Sequence, residues 1–138
     1  MPTLKTYDLF LSHMWRNTEN SEYYRLESLL DQAPYFSWRN YSVPGHDPLG
    51  TRTNKELSDA LKRQIRPVNC VLVVAGMYIN HREWIQHEID IALSYGKPII
   101  GVIPWGQQRV PTEIQNIADE MVGWQTGSIV AAIRKWSL

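Results

Sequence analysis

Short apolar runs that alternate with amphipathic stretches predict a flavodoxin-like α/β fold: three layers, with a five-stranded parallel sheet and helices on both faces. The run Val68–Ala75 strengthens this reading, because it is apolar enough to be buried on both sides. So does the punctuation, since helix-start and helix-stop signals fall between the apolar runs.

Tyr7–Ser12 reads as the first strand. Ser21 to Asp31 carries Tyr23, Leu26, Leu29 and Leu30 at helical spacing. Phe36–Val43 alternates aromatic and polar residues, as a second strand does, and Pro44–Gly50 follows as a loop rich in Pro and Gly. Thr53 and Glu56 form a capping box that opens a helix ending near Arg66, before Pro67. Val68–Ala75 is the third strand. A cap at Asn80 starts a helix that reaches Tyr95, with Gly96 at its C′ position. Ile99–Ile103 is the fourth strand, Thr112–Asp119 a short helix, Met121–Trp124 the fifth strand and Ser128–Trp136 the closing helix.

With 138 residues, the chain holds a single domain, 1–138. Fourteen basic and fourteen acidic side chains cancel, so neither nucleic acid nor an anionic membrane is an expected partner. The polar start, Met1 to Thr6, predicts no signal peptide, and apolar runs stay far below the ~20 residues that cross a bilayer. The lone Cys70 cannot make an internal disulfide, which fits a reducing cytoplasm; it is expected to be buried and inert. Six Trp and seven Tyr beside two Phe give many aromatics with a polar tip.

Several chemistries lack their motif. There is no G-x-G-x-x-G after the first strand, no P-loop and no G-x-S-x-G elbow. The four histidines (His13, His46, His81, His87) have no metal-ligand spacing, so no metal site is expected. Asp8 alone does not supply the acidic cluster of a response-regulator receiver. In a doubly wound sheet the ligand crevice lies at the carboxyl ends of the strands. That rule selects the residues after Ser12, Val43, Ala75 and Ile103.

One residue breaks the pattern. At about 100° per residue, Trp84, Ile85, Ile89, Ile91, Ala92 and Leu93 form the apolar arc of their helix, and Glu83, Gln86, His87, Asp90 and Ser94 the polar arc. Glu88 falls inside the apolar arc. A carboxylate there is paired, protonated or lines a cavity. Two readings stand: a stem over the core with its head on an Arg, or a carboxylate in a groove. A single carboxylate suits a reaction whose leaving group needs no proton. Nicotinamide departs from NAD as a neutral ring, leaving a ribosyl cation that one buried anion can stabilise. One buried anion suits NAD and other nucleosides alike.

At this point the residues resemble the TIR (Toll/interleukin-1 receptor-like) family. Tyr7–Ser12 is similar to its first strand, and Val71–Ala75 followed by Met77 and Tyr78 to its third strand and exit. Trp84-x-x-x-Glu88 matches the spacing that holds the catalytic glutamate in NAD-cleaving members, and Tyr95–Ile100 the approach to the fourth strand. Within the family, the chain most resembles the bacterial TIR-like group that includes the sensors of Thoeris anti-phage systems. The resemblance implies an NAD glycohydrolase or cyclase that cleaves the nicotinamide–ribose bond and forms a cyclic ADP-ribose isomer as a second messenger. It implies Glu88 as the catalytic carboxylate and Trp84 beside it, shaping the product. It also implies Phe10, Leu11, Ser12 and His13 at the mouth, and Pro44–Gly50, with Asp47, as the BB loop. NAD is then a substrate and no cofactor or metal is called for. The active form is expected to be a homo-oligomer, and the messenger to act on a separate effector protein. Ile85 stands where the family usually has Cys, and the first-strand exit is Ser12-His-Met-Trp15, unlike plant members.

Two alternatives remain: a non-enzymatic TIR scaffold that self-associates, and a nucleoside deoxyribosyltransferase-like enzyme with a nucleophilic glutamate. Of the other candidates, Asp47 serves a turn or a substrate. Ser42 and Asn40 end the second strand near the expected crevice. Trp105 is a pocket wall or a plug, Trp124 and Trp136 are expected in the core, and Arg63 and Arg66 on a solvated face.

Overall fold

The computed structural model describes residues 5–12, 21–41, 54–75, 82–103 and 112–138, with the backbone alone described at 21–23, 54–57 and 82–84. Five strands, β1 (Thr6–Leu11), β2 (Ser37–Asn40), β3 (Cys70–Val74), β4 (Ile99–Val102) and β5 (Glu120–Val122), form one parallel sheet in the order β2-β1-β3-β4-β5. This is the expected flavodoxin-like order. Among the described residues the helices are α1 (Ser21–Asp31), α2 (Asn54–Ile65), α3 (Arg82–Ser94), α4 (Thr112–Ile117) and α5 (Thr126–Trp136). None is long and apolar enough to cross a membrane.

β1 is shifted by one residue from the expected Tyr7–Ser12, and β3, β4 and β5 are shorter than the runs that predict them. β2 spans Ser37–Asn40, an exposed edge strand within the expected Phe36–Val43, of which residues 42 and 43 lie outside those described. The caps expected at Thr53 and Asn80 lie outside the described residues. The C-terminal signal of α3 is realised in full. Gly96 takes φ +67°, its N–H donates to Leu93 O, and Lys97 N–H donates to Ala92 O, which makes a Schellman motif.

Right-handed crossovers put α1 and α5 on one face of this sheet and α2, α3 and α4 on the other. The packing agrees: α1 meets α5, and α2 meets α3. Strand alternation then assigns the side chains. Trp38 and Asn40 bond to Asp31 and Glu27 of α1, so Tyr7, Leu9 and Leu11 face the α1/α5 layer. A Cβ on Gly101 would meet the Met121 sulfur and lie 3.2 Å from Ile114 of α4, so Gly101 faces the opposite layer. The pairings Val73 with Gly101 and Phe10 with Val71 place Phe10 on that face too.

β3 and β4 are buried at every position and carry the core, with Ile85, Ile89 and Ala92 of α3 packed into it. Two expectations are corrected. Leu93 is 48% exposed, because the apolar arc of α3 is wider than the stripe that touches the sheet. Trp124 and Trp136 are half-buried at the rim, since each carries an indole N–H that favours a polar edge; Trp136 donates to Glu120. Cys70 is fully buried, and that burial pushes its thiol up to about 12, so it is not a thiolate at neutral pH.

Candidate functional site

α3 lays the stripe Ile85, Glu88, Ile89 and Ala92 against the sheet, at the i, i+3, i+4, i+7 spacing of a core face. Glu88 lies in that stripe with 0% exposure, six residues and about 9 Å of helix rise from the first residue of α3. Among the described residues, only Ser12 and Glu88 are polar and fully buried. Glu88 belongs to the layer between the sheet and the α2/α3/α4 helices, on the face of the sheet that Phe10 also shares, and Ser12 ends β1 within the sheet. Taking a carboxylate out of water is expensive, so its place in an apolar stripe needs a reason beyond packing.

Ser12 sits where β1 leaves the sheet. Its N–H donates to Leu72 O at 2.8 Å, and its Oγ accepts the Val74 N–H at 3.0 Å. The hydroxyl therefore stands in for a ladder carbonyl at the carboxyl end of β3, which is where the crevice of such a sheet lies. Accepting that bond leaves the hydroxyl proton able to donate elsewhere.

The remaining expected residues divide. Phe10 is fully buried on the face that holds Glu88. Leu11 is also fully buried, but alternation turns it to the α1/α5 layer, away from Glu88. Asn40 is turned to that same layer, where it donates to Glu27 at 2.9 Å. His13, Ser42, Asp47, the loop 44–50, Trp105 and the Trp84 side chain lie outside what is described.

Sequence reasoning missed one ion pair. Arg39 grips Asp8 with Nε at 2.7 Å and Nη2 at 3.1 Å across the β1–β2 pair. The hydrogen bond and charge of Asp8 move the Arg39 guanidinium further from deprotonation. An acid and a base in register on neighbouring strands was the signal available, but register is not visible before the strands are paired.

A parallel α/β sheet with a carboxylate buried beneath one helix defines the class, a flavodoxin-like domain built to keep a polar group inside. The family model of the Thoeris protein ThsB, TIR-like domain, matches residues 10–109. The chain belongs to this Thoeris TIR-like family. No curated protein is similar in sequence at a significant level. A solved structure of the Clostridium botulinum CMP N-glycosidase BcmB is similar in fold, with a TM-score of 0.52 and 12% identity, covering 94% of this chain and 98% of that one.

Proposed function

We propose that the chain is an NAD glycohydrolase and cyclase, with Glu88 as its catalytic carboxylate. The observation that carries this reading is the complete burial of Glu88 on α3, on the face that Phe10 shares, in a chain of the Thoeris TIR-like family. The bond between nicotinamide and C1′ of the ribose breaks, and its electron pair leaves with the ring, which becomes neutral. No acid has to protonate the leaving group. The ribose is left as a cation, which the buried carboxylate stabilises electrostatically while it holds the ribose hydroxyls. Water then captures C1′ and loses a proton to solvent, giving ADP-ribose. Alternatively, a nucleophilic atom of the same molecule captures C1′ and gives a cyclic isomer, an anti-phage second messenger.

Phe10 and Ser12 line this site from the sheet, with His13, Ser42, Asp47 and Trp84 as its further lining; Leu11, turned to the other layer, takes no part. NAD is a substrate, and neither metal nor other cofactor takes part. The active form is a cytoplasmic homo-oligomer whose product acts on a separate effector protein.

A second reading has an observation in its favour. The fold is shared with an N-glycosidase of CMP, a reaction that also breaks a C1′–N bond. Incubation with NAD at high protein concentration, with nicotinamide read by chromatography and the product by mass spectrometry, separates the readings. Nicotinamide release by the wild type and none by Glu88→Gln is the expected result. Free base released from a nucleoside monophosphate, or a sugar trapped on Glu88, in place of nicotinamide would favour the second reading. No release from either substrate class leaves the self-associating scaffold.

A further inference from the structure

The charges of this chain balance, yet they are not evenly spread. Asp59, Lys62, Arg63 and Arg66 follow the i, i+3, i+4, i+7 spacing along α2 and its end, so they share one helical face. That face and Tyr95, at the end of α3, line a depression of about 240 Å³. Lys62, Arg63 and Arg66 are exposed, and none forms an ion pair with another described residue. Three like charges within one turn repel each other. The dipole at the end of α2 accounts for a cation in its last turn. It gives no reason for a 39%-exposed ring from another helix to line the same hollow.

We infer that this hollow is a second ligand site, one for a diphosphate carried next to a flat ring, as in a nucleoside diphosphate. Guanidinium groups take phosphate oxygens in pairs, and Lys62 adds a point charge. Tyr95 offers a face on which a base stacks. The Asp59 carboxylate accepts hydrogen bonds from ribose hydroxyls. The hollow is separate from the buried carboxylate: Tyr95 is seven residues beyond Glu88, about 10 Å along α3 and toward the opposite edge of the sheet. Its occupancy is independent of any chemistry at Glu88.

The test is a titration of the isotope-labelled protein with ADP and with pyrophosphate, read on backbone amides, so that no turnover is needed. Saturable shifts are expected at residues 59–66 and 95–97 with both probes, with ADP the tighter. Arg63→Gln with Arg66→Gln is expected to weaken ADP about tenfold or more, and raised salt to weaken both probes. Tyr95→Ala is expected to weaken ADP more than pyrophosphate. All three positions are exposed, and unchanged amide shifts elsewhere confirm that the variants fold. No saturable shift up to about 10 mM, shifts confined to residues 9–12 and 85–89, or an unchanged affinity in the double variant would each overturn the inference.

Discussion

The two faces of the sheet treat polar groups in opposite ways. Toward α1 and α5, polar atoms stay at the rim and close on one another: Trp38 donates to Asp31 at 3.0 Å, and Asn40 to Glu27. Tyr7 stacks on Phe36 with centroids 5.4 Å apart, and Arg134 lies over the same Phe36 ring. Rim contacts of this kind keep their groups hydrated and cost little. Toward α2, α3 and α4, a carboxylate is wholly buried instead. The first face is arranged as a scaffold. The second accepts a desolvation cost that a scaffold has no need to bear, and functional sites are where such local rules break.

Glu88 gives the sharpest way to break that contrast. Glu88→Gln should lower nicotinamide release by about a hundredfold or more, the scale seen when one preorganised electrostatic group is removed. Glu88→Leu should abolish release as well. A loss of about 3–5 kcal/mol in denaturant unfolding in both variants, with release retained, would instead make Glu88 a structural ion-pair member, and the two faces would no longer differ in kind.

Gly101 tests how tightly the second face is packed. A side chain there meets the Met121 sulfur and Ile114. The thioether can swing aside, but the branched Ile114 on α4 has less room to yield. Gly101→Ala should therefore cost about 1 kcal/mol and Gly101→Val about 3 kcal/mol in denaturant unfolding. Equal and negligible costs would mean that α4 rides loosely on β4.

Ser12 belongs to both architecture and crevice, and its variant separates the two. Ser12→Ala removes the acceptor of the buried Val74 N–H and should cost about 2 kcal/mol. If the hydroxyl also touches substrate, KM for NAD rises as well. If it only ends the ladder, KM stays where it was.

Much of this arrangement was legible in the sequence, for identifiable reasons. β3 and β4 were readable because unbroken apolar runs have few other uses, and Gly96 because a left-handed helix end selects glycine. Glu88 stood out because a 3.6-residue period makes one misplaced charge visible. The facing of Leu11 and Asn40 was not legible. A strand period of two says that neighbours diverge, but which layer each one meets depends on crossovers that no local pattern records. The stripe on α2 read as an ordinary solvated face because Tyr95 joins it only through the packing of α2 on α3.

The smallest effect belongs to the scaffold face. Asn40 ends β2 near the expected crevice, and on sequence grounds it was a candidate to touch a ligand. Its amide is instead turned to α1, at an exposed position, where it donates to Glu27. Exposed polar pairs contribute little because water replaces either partner readily. Asn40→Ala should therefore change stability by no more than about 1 kcal/mol and leave the rate of nicotinamide release untouched. The pairing of activity with unfolding is what gives the variant its value. A rate that falls while stability holds would mean that the end of β2 reaches the substrate, and the division between a scaffold face and a chemical face would have to be redrawn along the carboxyl edge.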